Sequence, residues 1–483
     1  MFDYDVIVLG GGAAGLVAAK LAKGLGKKVA LIERRKIGGD CTLFGCVPSK
    51  ALIKSAYFAH QLRRLKNFGL QSNEELKISA DNVMSHVQSV VDYVYQGHTP
   101  EILQSEGIDV FIASPRFLDN HLIEADGKKI SSNKFIICTG SRAFVPNIDG
   151  IDKIKYLTNK TLFQLDKLPR SMIILGGGPI GSEMCSALNR LGVQVTVIEK
   201  EKHILIREDD ELAFTSMDYL RAEGVEILTQ KTLSKLDSQN GSVVATVTDS
   251  VGQATRVIAE SLLIAIGRRP NLEGLSLENA EVQYDQRGLK IDSHLRTTAE
   301  NIYAAGDVVP PYLFSHVAEY EAVIATSNAC LPIKRKTNYD NVLWCTFTDP
   351  ELARAGLTEK QAKERFGDKI KTYRWEYKNI DRAKIDMSLK GLAKFVCDKN
   401  SRLLGIGILG YGAAELMHEA QLAKSYNLPF SKIASVIHAY PSYSDIVRQP
   451  AKRCYIDGLQ NNFFIKLFKK ISGGGSDTYE EKS

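Results

Sequence analysis

Two cysteines, Cys41 and Cys46, are the residues whose type and spacing most directly suggest chemistry in this sequence. They lie in the run Gly38-Gly-Asp-Cys-Thr-Leu-Phe-Gly-Cys-Val-Pro-Ser-Lys50. In a regular helix, residues five apart are separated by roughly 7.5 Å of rise, more than the roughly 7 Å between Cα atoms that a disulfide tolerates. The two thiols therefore either stay reduced or lie on a bent segment, and Gly45 permits such a bend.

The surroundings of this cysteine pair favour redox chemistry. Lys50 lies four residues after Cys46, on the same face of a helix, where its charge favours a thiolate. A metal centre needs two more ligands at sensible spacing, and none lies nearby in the sequence, so we expect no metal. Inert buried thiols and metal binding stay open as alternatives, and redox activity is the preferred hypothesis.

A duplicated pattern supplies the elements that would position the thiols. A short apolar strand enters Gly10-Gly-Gly-Ala-Ala-Gly15, and a helix and a second strand lead from there to Glu33. The same pattern recurs from Gly176-Gly-Gly-Pro-Ile-Gly181 to Glu199, and each acid falls 23 residues after its first glycine. In such a unit the glycines make a tight turn, let the backbone approach a pyrophosphate and bring helix and strand together. The acid accepts a hydrogen bond from a ribose hydroxyl.

Two dinucleotide-binding units on one chain indicate electron transfer, with one nucleotide held and the other exchanged. A short strand, Asn301-Ile-Tyr-Ala-Ala-Gly-Asp307, is interpreted as a return of the chain to the first unit. The segments 138–141 and 265–271 are interpreted as the two crossings between the units. The alternative for the short strand is an ordinary strand followed by a turn.

On these motifs the chain resembles the FAD-dependent class I pyridine nucleotide–disulfide oxidoreductases, which include dihydrolipoamide dehydrogenase, glutathione reductase and mercuric reductase. The run Gly-Gly-Asp-Cys together with His438-Ala-Tyr-Pro is most similar to the mercuric reductase-like branch. The resemblance implies that FAD is bound by Gly10, Gly12, Gly15, Glu33, Lys50, Ala113, Gly140, Ser141, Asp307 and Ser315. It implies that NAD(P)H is bound by Gly176, Gly178, Ile180, Gly181, Glu199 and Gly267.

The resemblance also assigns roles around the thiols. Cys46 is expected to face the flavin, and Cys41 is expected to be the outer thiol that meets the acceptor. Lys50 and Glu183 are expected to form an ion pair beside the flavin. The implied fold is α/β, with two Rossmann-like FAD- and NAD(P)-binding domains and a C-terminal α+β dimerisation domain.

The predicted boundaries follow from the positions of the motifs. We expect an FAD-binding domain over 1–150 and 270–335, an NAD(P)-binding domain over 151–269 and an interface domain over 336–460. Residues 461–483 are predicted to be an amphipathic segment followed by a disordered tail. Within this part, 462–471 has the pattern of a membrane-surface helix, or of a helix packed on its own protein.

The C-terminal third departs from the pattern of the disulfide reductases. Where those enzymes carry a proton-shuttling histidine and an orienting acid, this chain carries Tyr440 and Asp445. Tyrosine titrates at about 10 and histidine at about 6.5, so the replacement changes the acid–base chemistry. His438 is a candidate substitute, because on a strand it would share a face with Tyr440. The alternative is a hydrogen-bonded interface histidine with no part in catalysis. The vicinal cysteines of mercuric reductases are missing, since Cys454 stands alone in the sequence.

Composition limits the class of protein. The chain has 483 residues, of which 44% are hydrophobic and 24% charged, as is typical of globular proteins. The formal net charge of +6 is too small and dispersed to indicate nucleic acid. No apolar run is long enough for a membrane-spanning helix. Because the first apolar run lacks a basic flank, we expect a cytoplasmic location, and the resemblance implies a homodimer.

The predicted function is transfer of electrons from NAD(P)H through FAD and the Cys41–Cys46 couple to a small-molecule or protein disulfide, or to a related acceptor. Glu199 suits a free ribose 2′-hydroxyl, so NADH is the preferred donor, although Lys200 and Lys202 would soften the repulsion of a 2′-phosphate. Two alternatives remain open. One is an NADH oxidase or quinone-type diaphorase, and the other is a redox-sensing flavoprotein with little turnover.

Overall fold

The computed structural model of the protein describes residues 1–71 and 77–471, with side chains described as far as residue 467. The described residues form two compact units, one of 1–206 with 217–339 and one of 207–216 with the chain from 340 onward. The segment 207–216, placed by the sequence in the NAD(P)-binding domain, groups with the C-terminal unit. The predicted domain boundaries stay a prediction, and the predicted tail after 471 lies outside the described residues.

The elements follow the chain in this order. The strands are β1 (Tyr4–Leu9), β2 (Val29–Glu33), β3 (Asp109–Ile112), β4 (Pro115–Phe117), β5 (Leu122–Ala125), β6 (Lys128–Ile137), β7 (Ser141–Ala143), β8 (Tyr156–Leu157), β9 (Ser171–Leu175), β10 (Gln194–Ile198), β11 (Glu226–Leu228), β12 (Thr232–Gln239), β13 (Ser242–Thr248), β14 (Ala254–Ala259), β15 (Ser261–Ile264), β16 (Arg268–Pro270), β17 (Tyr284–Asp285), β18 (Gly288–Leu289), β19 (Ile302–Ala304), β20 (Leu343–Thr346), β21 (Glu351–Gly356), β22 (Lys371–Glu376), β23 (Leu392–Cys397) and β24 (Leu403–Gly410). The helices are α1 (Ala13–Gly24), α2 (Gly39–Phe44), α3 (Cys46–Arg63), α4 (Ala80–Tyr95), α5 (Pro100–Ser105), α6 (Asn159–Leu162), α7 (Pro179–Arg190), α8 (Asp210–Ala222), α9 (Ser315–Cys330), α10 (Glu359–Phe366), α11 (Asp381–Ile385), α12 (Ala413–Ser425), α13 (Asp445–Asn461) and α14 (Phe463–Ile471).

The first nucleotide unit is built on a mixed sheet in the order β3-β2-β1-β6-β5-β4, with β19 also paired to β6. Strands β3, β2, β1, β6 and β19 run parallel, and β4 and β5 are antiparallel additions. The last four residues of β1, Val6–Leu9, are buried because both faces of the sheet are covered. The predicted return of the chain to this sheet is therefore present as β19.

The second nucleotide unit repeats this construction in a parallel sheet with the order β11-β10-β9-β15-β8. A three-stranded antiparallel sheet, β12-β13-β14, adjoins it in the sequence. The two predicted crossings meet, because β7 pairs with β16 in antiparallel register, Ser141 opposite Pro270. Carboxyl ends of parallel strands are where open α/β sheets bind ligands, so both units place their glycine loops at such an edge.

The C-terminal unit contains a five-stranded antiparallel sheet, β20-β21-β24-β23-β22. Its core packs β23 and β24 against α12 and α13 through Phe395, Ile406, Met417 and Ala451. The two nucleotide-unit sheets, the C-terminal sheet and their helices confirm the predicted fold class of two Rossmann-like domains and an α+β domain. No helix in the described ranges is both long and apolar enough to cross a membrane.

Candidate active site

The cysteine segment is bent where the sequence allows it. Helix α2 carries Cys41 and ends at Phe44, and α3 begins at Cys46, with Gly45 between them at φ −129° and ψ −111°. A Cβ on Gly45 would lie 2.8 Å from the carbonyl oxygen of Asp40, so this close turn requires glycine. The bend brings the two cysteines into hydrogen-bond contact, and both are free thiols in this structure.

The two thiols differ in charge preference. The Cys41 S–H donates to the sulfur of Cys46, which is the main cause that lowers the pKa of Cys46 to about 6. The Ser315 hydroxyl, whose Oγ lies 3.4 Å from the Cys46 Sγ, and the charge of Lys50 act in the same direction. The pKa of Cys41 is raised, first by its hydrogen bond to Cys46 and then by burial. Near neutral pH the pair is therefore a Cys46 thiolate beside a Cys41 thiol.

Lys50 joins the cysteine helix to the second nucleotide unit. Its Nζ lies 2.8 Å from the Oε2 of Glu183 on α7. The Glu183 side chain is 8% exposed and that of Lys50 is 36% exposed. The structure thus brings together the two residues expected to pair, and places a cation within the electrostatic reach of Cys46.

The first glycine loop is closely packed. Gly10 has φ +107°, and a Cβ on Gly15 would lie 1.8 Å from the carbonyl oxygen of Gly10. The Oε2 of Glu33 accepts a 2.8 Å hydrogen bond from the N–H of Gly11. Ala113 follows β3 and donates its N–H to the Glu33 carbonyl at 2.9 Å. Glycine is thus required at the turn and at the helix–strand contact, as the motif predicts.

A cavity of about 470 Å³ opens beside this loop. Arg34, Arg35 and Lys36 lie on its lining and provide cations for a phosphate-bearing ligand. The amino end of α1 also faces it, and backbone N–H groups there suit a pyrophosphate. This chemistry fits FAD. Predicted FAD residues on the lining are Gly10, Gly12, Glu33, Gly140, Ser141, Asp307 and Ser315, and Cys41 lies there too.

The second glycine loop has the same close contacts and the same glutamate hydrogen bond as the first. Gly176 has φ +105°, and a Cβ on Gly181 would lie 1.9 Å from the Gly176 carbonyl oxygen. The carboxylate of Glu199 accepts from the N–H of Gly177 at 2.7 Å and from the N–H of Glu201 at 2.9 Å. Such an edge suits a second dinucleotide.

The remaining predicted NAD(P) residues border open space. A Cβ on Gly178 or on Gly267 would meet no atom within 4 Å. Ile180, in the first turn of α7, is 36% exposed. Open space for a ligand therefore lies beside Gly178 and Gly267.

Arg268 is a site residue that the sequence did not single out. Its guanidinium donates to the carboxylate of Asp40, next to Cys41, and to the Ser141 hydroxyl. It also lies 3.5 Å from the carboxylate of Asp307. The available signal was its place directly after Gly267, at the crossing between the units. The positive charge of Arg268 thus lies between Asp40 of the cysteine segment and Asp307, the acid predicted to bind FAD.

Glu321 is a second residue that the sequence did not indicate. It lies on α9 with a fully buried side chain and accepts from the N–H of Gly306 at 2.8 Å and from the Tyr339 hydroxyl at 2.7 Å. Burial is the main cause that raises its pKa to about 7, and the charge of Asp307 adds to it. A buried carboxyl group thus supports the loop that carries Asp307.

The candidate residues Tyr440, Asp445 and His438 lie in the C-terminal unit, and each has a hydrogen-bond partner there. The Tyr440 hydroxyl donates to the Oδ2 of Asp381 at 3.1 Å, and the ring is 72% exposed. Asp445 instead accepts from Arg448 at 2.7 Å. The acid that is hydrogen-bonded to Tyr440 is therefore Asp381, 59 residues away in the sequence, and a catalytic role of Asp445 stays a prediction.

His438 does not share a face with Tyr440, because this segment is not a strand. One ring nitrogen lies 2.9 Å from the carboxylate of Glu419 and the other 2.9 Å from the Val436 carbonyl oxygen. Its side chain is 9% exposed. The candidate substitute for the missing histidine is thus bonded at both ring nitrogens within its own unit, and its role in catalysis stays a prediction.

Two nucleotide-binding sheets, a reactive thiol pair and a separate α+β unit define a dinucleotide-dependent oxidoreductase. Residues 4–329 match the family described as Pyridine nucleotide-disulphide oxidoreductase, and residues 342–451 match the dimerisation domain of that family. The chain belongs to this family, whose members depend on FAD and NAD(P)H.

Particular relatives place the chain more closely. It is 32% identical to a mercuric reductase of Bacillus cereus, over 91% of this chain and 69% of that protein. It is 31% identical to a dihydrolipoyl dehydrogenase of Bacillus subtilis (strain 168), over 93% and 97% of the two chains. The solved structure of the HOCl-induced flavoprotein disulfide reductase RclA from Escherichia coli superposes with a TM-score of 0.83, at 29% identity, over 93% and 99%. The predicted family and class of enzyme are confirmed.

Proposed function

We propose that the enzyme carries electrons from NADH to a disulfide acceptor through Cys41 and Cys46. FAD, bound beside the first glycine loop, supplies two-electron transfer between the nicotinamide and this thiol pair. The observation that carries the proposal is the polarised pair itself, a Cys46 thiolate that accepts from the Cys41 thiol. We propose that Cys46 faces the flavin and Cys41 meets the acceptor.

The acceptor step balances with the groups present. When the shared proton moves to Cys46, the Cys41 sulfur attacks the acceptor disulfide, and the first acceptor sulfur leaves and takes a proton. Cys46 then passes its proton to the second acceptor sulfur and attacks Cys41, which restores the Cys41–Cys46 disulfide. Lys50 favours the charged form of Cys46 in this second step. One acceptor disulfide and one external proton give two thiols.

Tyr440 is our candidate for the source of the external proton. Its hydrogen bond to Asp381, and the charge of that group, raise the pKa of Tyr440 and keep the phenol protonated as a donor. In the proposed homodimer, the C-terminal unit of one copy completes the site of the other, as the resemblance implies. Tyr440 is thus a proton donor and a poorer proton acceptor than a histidine.

NADH is the proposed donor and the cytoplasm the proposed location. The Glu199 carboxylate is fixed by two backbone N–H groups and would repel a 2′-phosphate. The Nζ of Lys200 lies 3.6 Å from the carboxylate of Glu201. The negative charge of Glu201 offsets the positive charge with which Lys200 would attract a 2′-phosphate. The acceptor is proposed to be a small-molecule or protein disulfide or a related electron acceptor.

Replacement of Cys41 by Ser tests the thiol route. It should remove more than about 99% of NADH-dependent disulfide reduction, since the attacking sulfur is lost. Ferricyanide or quinone reduction, which needs only the flavin, should stay within about twofold of the wild type. Cys345→Ser, on β20, is the matched control and should change neither activity. Equal disulfide reduction by the Cys41 variant would contradict the proposal and favour a diaphorase.

The hydrogen bonds at both ring nitrogens of His438 keep a direct diaphorase as the second candidate function. Both nitrogens of His438 are bonded, so acid–base chemistry at the outer thiol depends on a phenol. A wild-type enzyme that reduces quinones at least about tenfold faster than every disulfide tested would establish this second candidate. It would also leave the Cys41→Ser variant fully active.

We also propose a weak contact of α14 with an anionic membrane surface. Phe463, Phe464 and Leu467 are 71%, 76% and 43% exposed, and 462–471 contains three lysines and no acid. Sedimentation with phosphatidylcholine vesicles containing about one third phosphatidylglycerol should retain the wild type and lose the double variant Phe463→Ser/Phe464→Ser. The variant Tyr426→Ser, at another exposed aromatic residue, should sediment like the wild type. Equal sedimentation of all three would contradict this contact.

A further inference from the structure

A second pair of cysteines lies in the C-terminal unit, far from each other in the sequence. Cys397 is the last residue of β23, and Cys454 lies in the middle of α13. Their exposed fractions are 0% and 1%. Both belong to the core that packs α13 on the sheet, together with Phe395 and Ala451. Cys454, which stands alone in the sequence, has a partner in the fold, because its sulfur accepts a hydrogen bond from Cys397.

Three hydrogen-bonding groups converge on the sulfur of Cys454. They are the thiol of Cys397 and the hydroxyl groups of Ser401 and Tyr373. The hydrogen bond from Cys397 is the main cause that lowers the pKa of Cys454 to about 6, against burial and the charge of Asp457. The pKa of Cys397 is raised by the same hydrogen bond and by burial. This pair thus has the polarity of Cys46 and Cys41.

The position of the pair separates it from the catalytic couple. Cys46 is an exposed residue beside Ser315 and Lys50, whereas neither Cys397 nor Cys454 is open to an acceptor molecule. A disulfide between them would connect α13 to β23 and close a long loop of chain. Such a cross-link stabilises a fold mainly because it restricts the unfolded chain.

We propose that Cys397 and Cys454 are a second redox couple, a buried dithiol that a small uncharged peroxide converts to a disulfide between β23 and α13. The Cys454 sulfur attacks one oxygen of hydrogen peroxide, the O–O bond breaks, and a sulfenic acid forms as hydroxide leaves. The Cys397 sulfur then attacks the Cys454 sulfur, the S–S bond forms, and the S–O bond breaks as water leaves. The two sulfurs lose two electrons to the peroxide, and the two thiol protons end in two waters.

The experiment uses the purified full-length enzyme with its cofactor bound. It is treated with hydrogen peroxide at a few equivalents, quenched with N-ethylmaleimide, digested without reduction and analysed by mass spectrometry. We expect a cross-linked peptide that joins Cys397 to Cys454, and a midpoint of thermal unfolding of the oxidised protein that is higher by about 5 °C. Addition of dithiothreitol under denaturing conditions should remove the cross-link.

Variants separate this couple from the catalytic one. Cys41→Ser should leave the cross-link intact, and so should Cys345→Ser, a half-buried thiol of the same unit. Cys397→Ser should abolish both the cross-link and the rise in the unfolding midpoint. Where Cys397→Ser does not fold, the wild-type peptide map alone decides. Cys454 found only as sulfinic acid, joined to another cysteine, or unmodified while Cys41 and Cys46 are oxidised would overturn the proposal.

Discussion

The two glycine loops share one local structure but have different surroundings. The first glycine has a φ of +107° in one loop and +105° in the other, and the last glycine leaves no room for a Cβ. In both loops the acid accepts a hydrogen bond from the N–H of the second glycine, Gly11 or Gly177. Around the first loop, Gly39 covers Gly12, since a Cβ on Gly39 would lie 2.6 Å from the Gly12 Cα. Around the second, Gly178 faces open space.

This difference teaches that the motif sets how a dinucleotide is bound, while neighbouring segments set how long it stays. The cysteine segment and the cationic run 34–36 line the cavity beside the first loop, and neither belongs to the glycine motif itself. An enclosed nucleotide exchanges slowly and an exposed one quickly, because release requires displacement of whatever covers it. One loop thus suits a resident cofactor and the other a diffusing one.

The largest effect should come from a methyl group at the last glycine of each loop. Gly15→Ala and Gly181→Ala each place a Cβ within 2 Å of a carbonyl oxygen, at 1.8 and 1.9 Å, and overpacking costs about 1–3 kcal/mol. Gly15→Ala should purify with little flavin absorbance, whereas Gly181→Ala should keep its flavin and raise the KM for NADH about 10–100-fold. Gly24→Ala, where a Cβ meets nothing within 4 Å, is the control. Flavin loss from both variants alike would break the comparison.

Loss of the ion pair between Lys50 and Glu183, which joins the two nucleotide units, should give the next largest effect. Lys50→Met removes the positive charge that lowers the pKa of Cys46, so the thiolate, present above a pH of about 6 in the wild type, should appear only at higher pH. Iodoacetamide alkylation of the NADH-reduced enzyme against pH measures this midpoint. We expect an upward shift of about one unit and about a tenfold loss of disulfide reduction at pH 7. Lys54→Met, an exposed lysine of the same helix, should leave the midpoint unchanged.

Replacement of the loop acids Glu199 and Glu33 by serine should show whether the two loops have separate roles. Glu199→Ser removes the charge that repels a 2′-phosphate and should raise kcat/KM for NADPH relative to NADH about tenfold. Glu33→Ser removes the equivalent hydrogen bond from the first loop. It should weaken the retention of flavin and leave the ratio of kcat/KM for NADPH to that for NADH unchanged. Steady-state kinetics with both nucleotides decide between these outcomes. A changed ratio in the Glu33 variant would argue against separate roles for the loops.

The smallest effect concerns stability and the loop that carries Asp307. Because the folded protein raises the pKa of Glu321 from 4.5 to about 7, the native state holds this proton more tightly than the unfolded chain. The contribution is complete below a pH of about 4.5 and is lost as pH rises through about 7, a difference of about 3 kcal/mol in the free energy of unfolding. Thermal unfolding between these pH values should show this loss, and Glu321→Gln should flatten it. Glu319→Gln, an exposed neighbour, should behave as the wild type.

Local sequence patterns predicted the parts of the fold and site that depend on neighbouring residues. The glycine loops and the strand that returns to the first sheet follow from residue types within a short stretch. For the cysteine segment the sequence showed only that Gly45 permits a bend. Contacts between distant segments could not be predicted from local patterns, since one sequence gives no register between Tyr440 and Asp381 or between Cys397 and Cys454. The pair of Lys50 and Glu183 was expected only from the resemblance to the family. Asp445, which stands where the family has its acid, accepts a hydrogen bond from Arg448, and its role in catalysis stays a prediction.

The salt bridge of Lys50 and Glu183 also limits how this chain can evolve. Its two residues belong to different nucleotide units, so a recombination event that replaced the second unit with a foreign one would discard Glu183 and keep Lys50. The ammonium group beside the thiolate would then face a surface selected for another partner. The two units are therefore expected to be inherited together, and substitutions at these two positions to occur jointly.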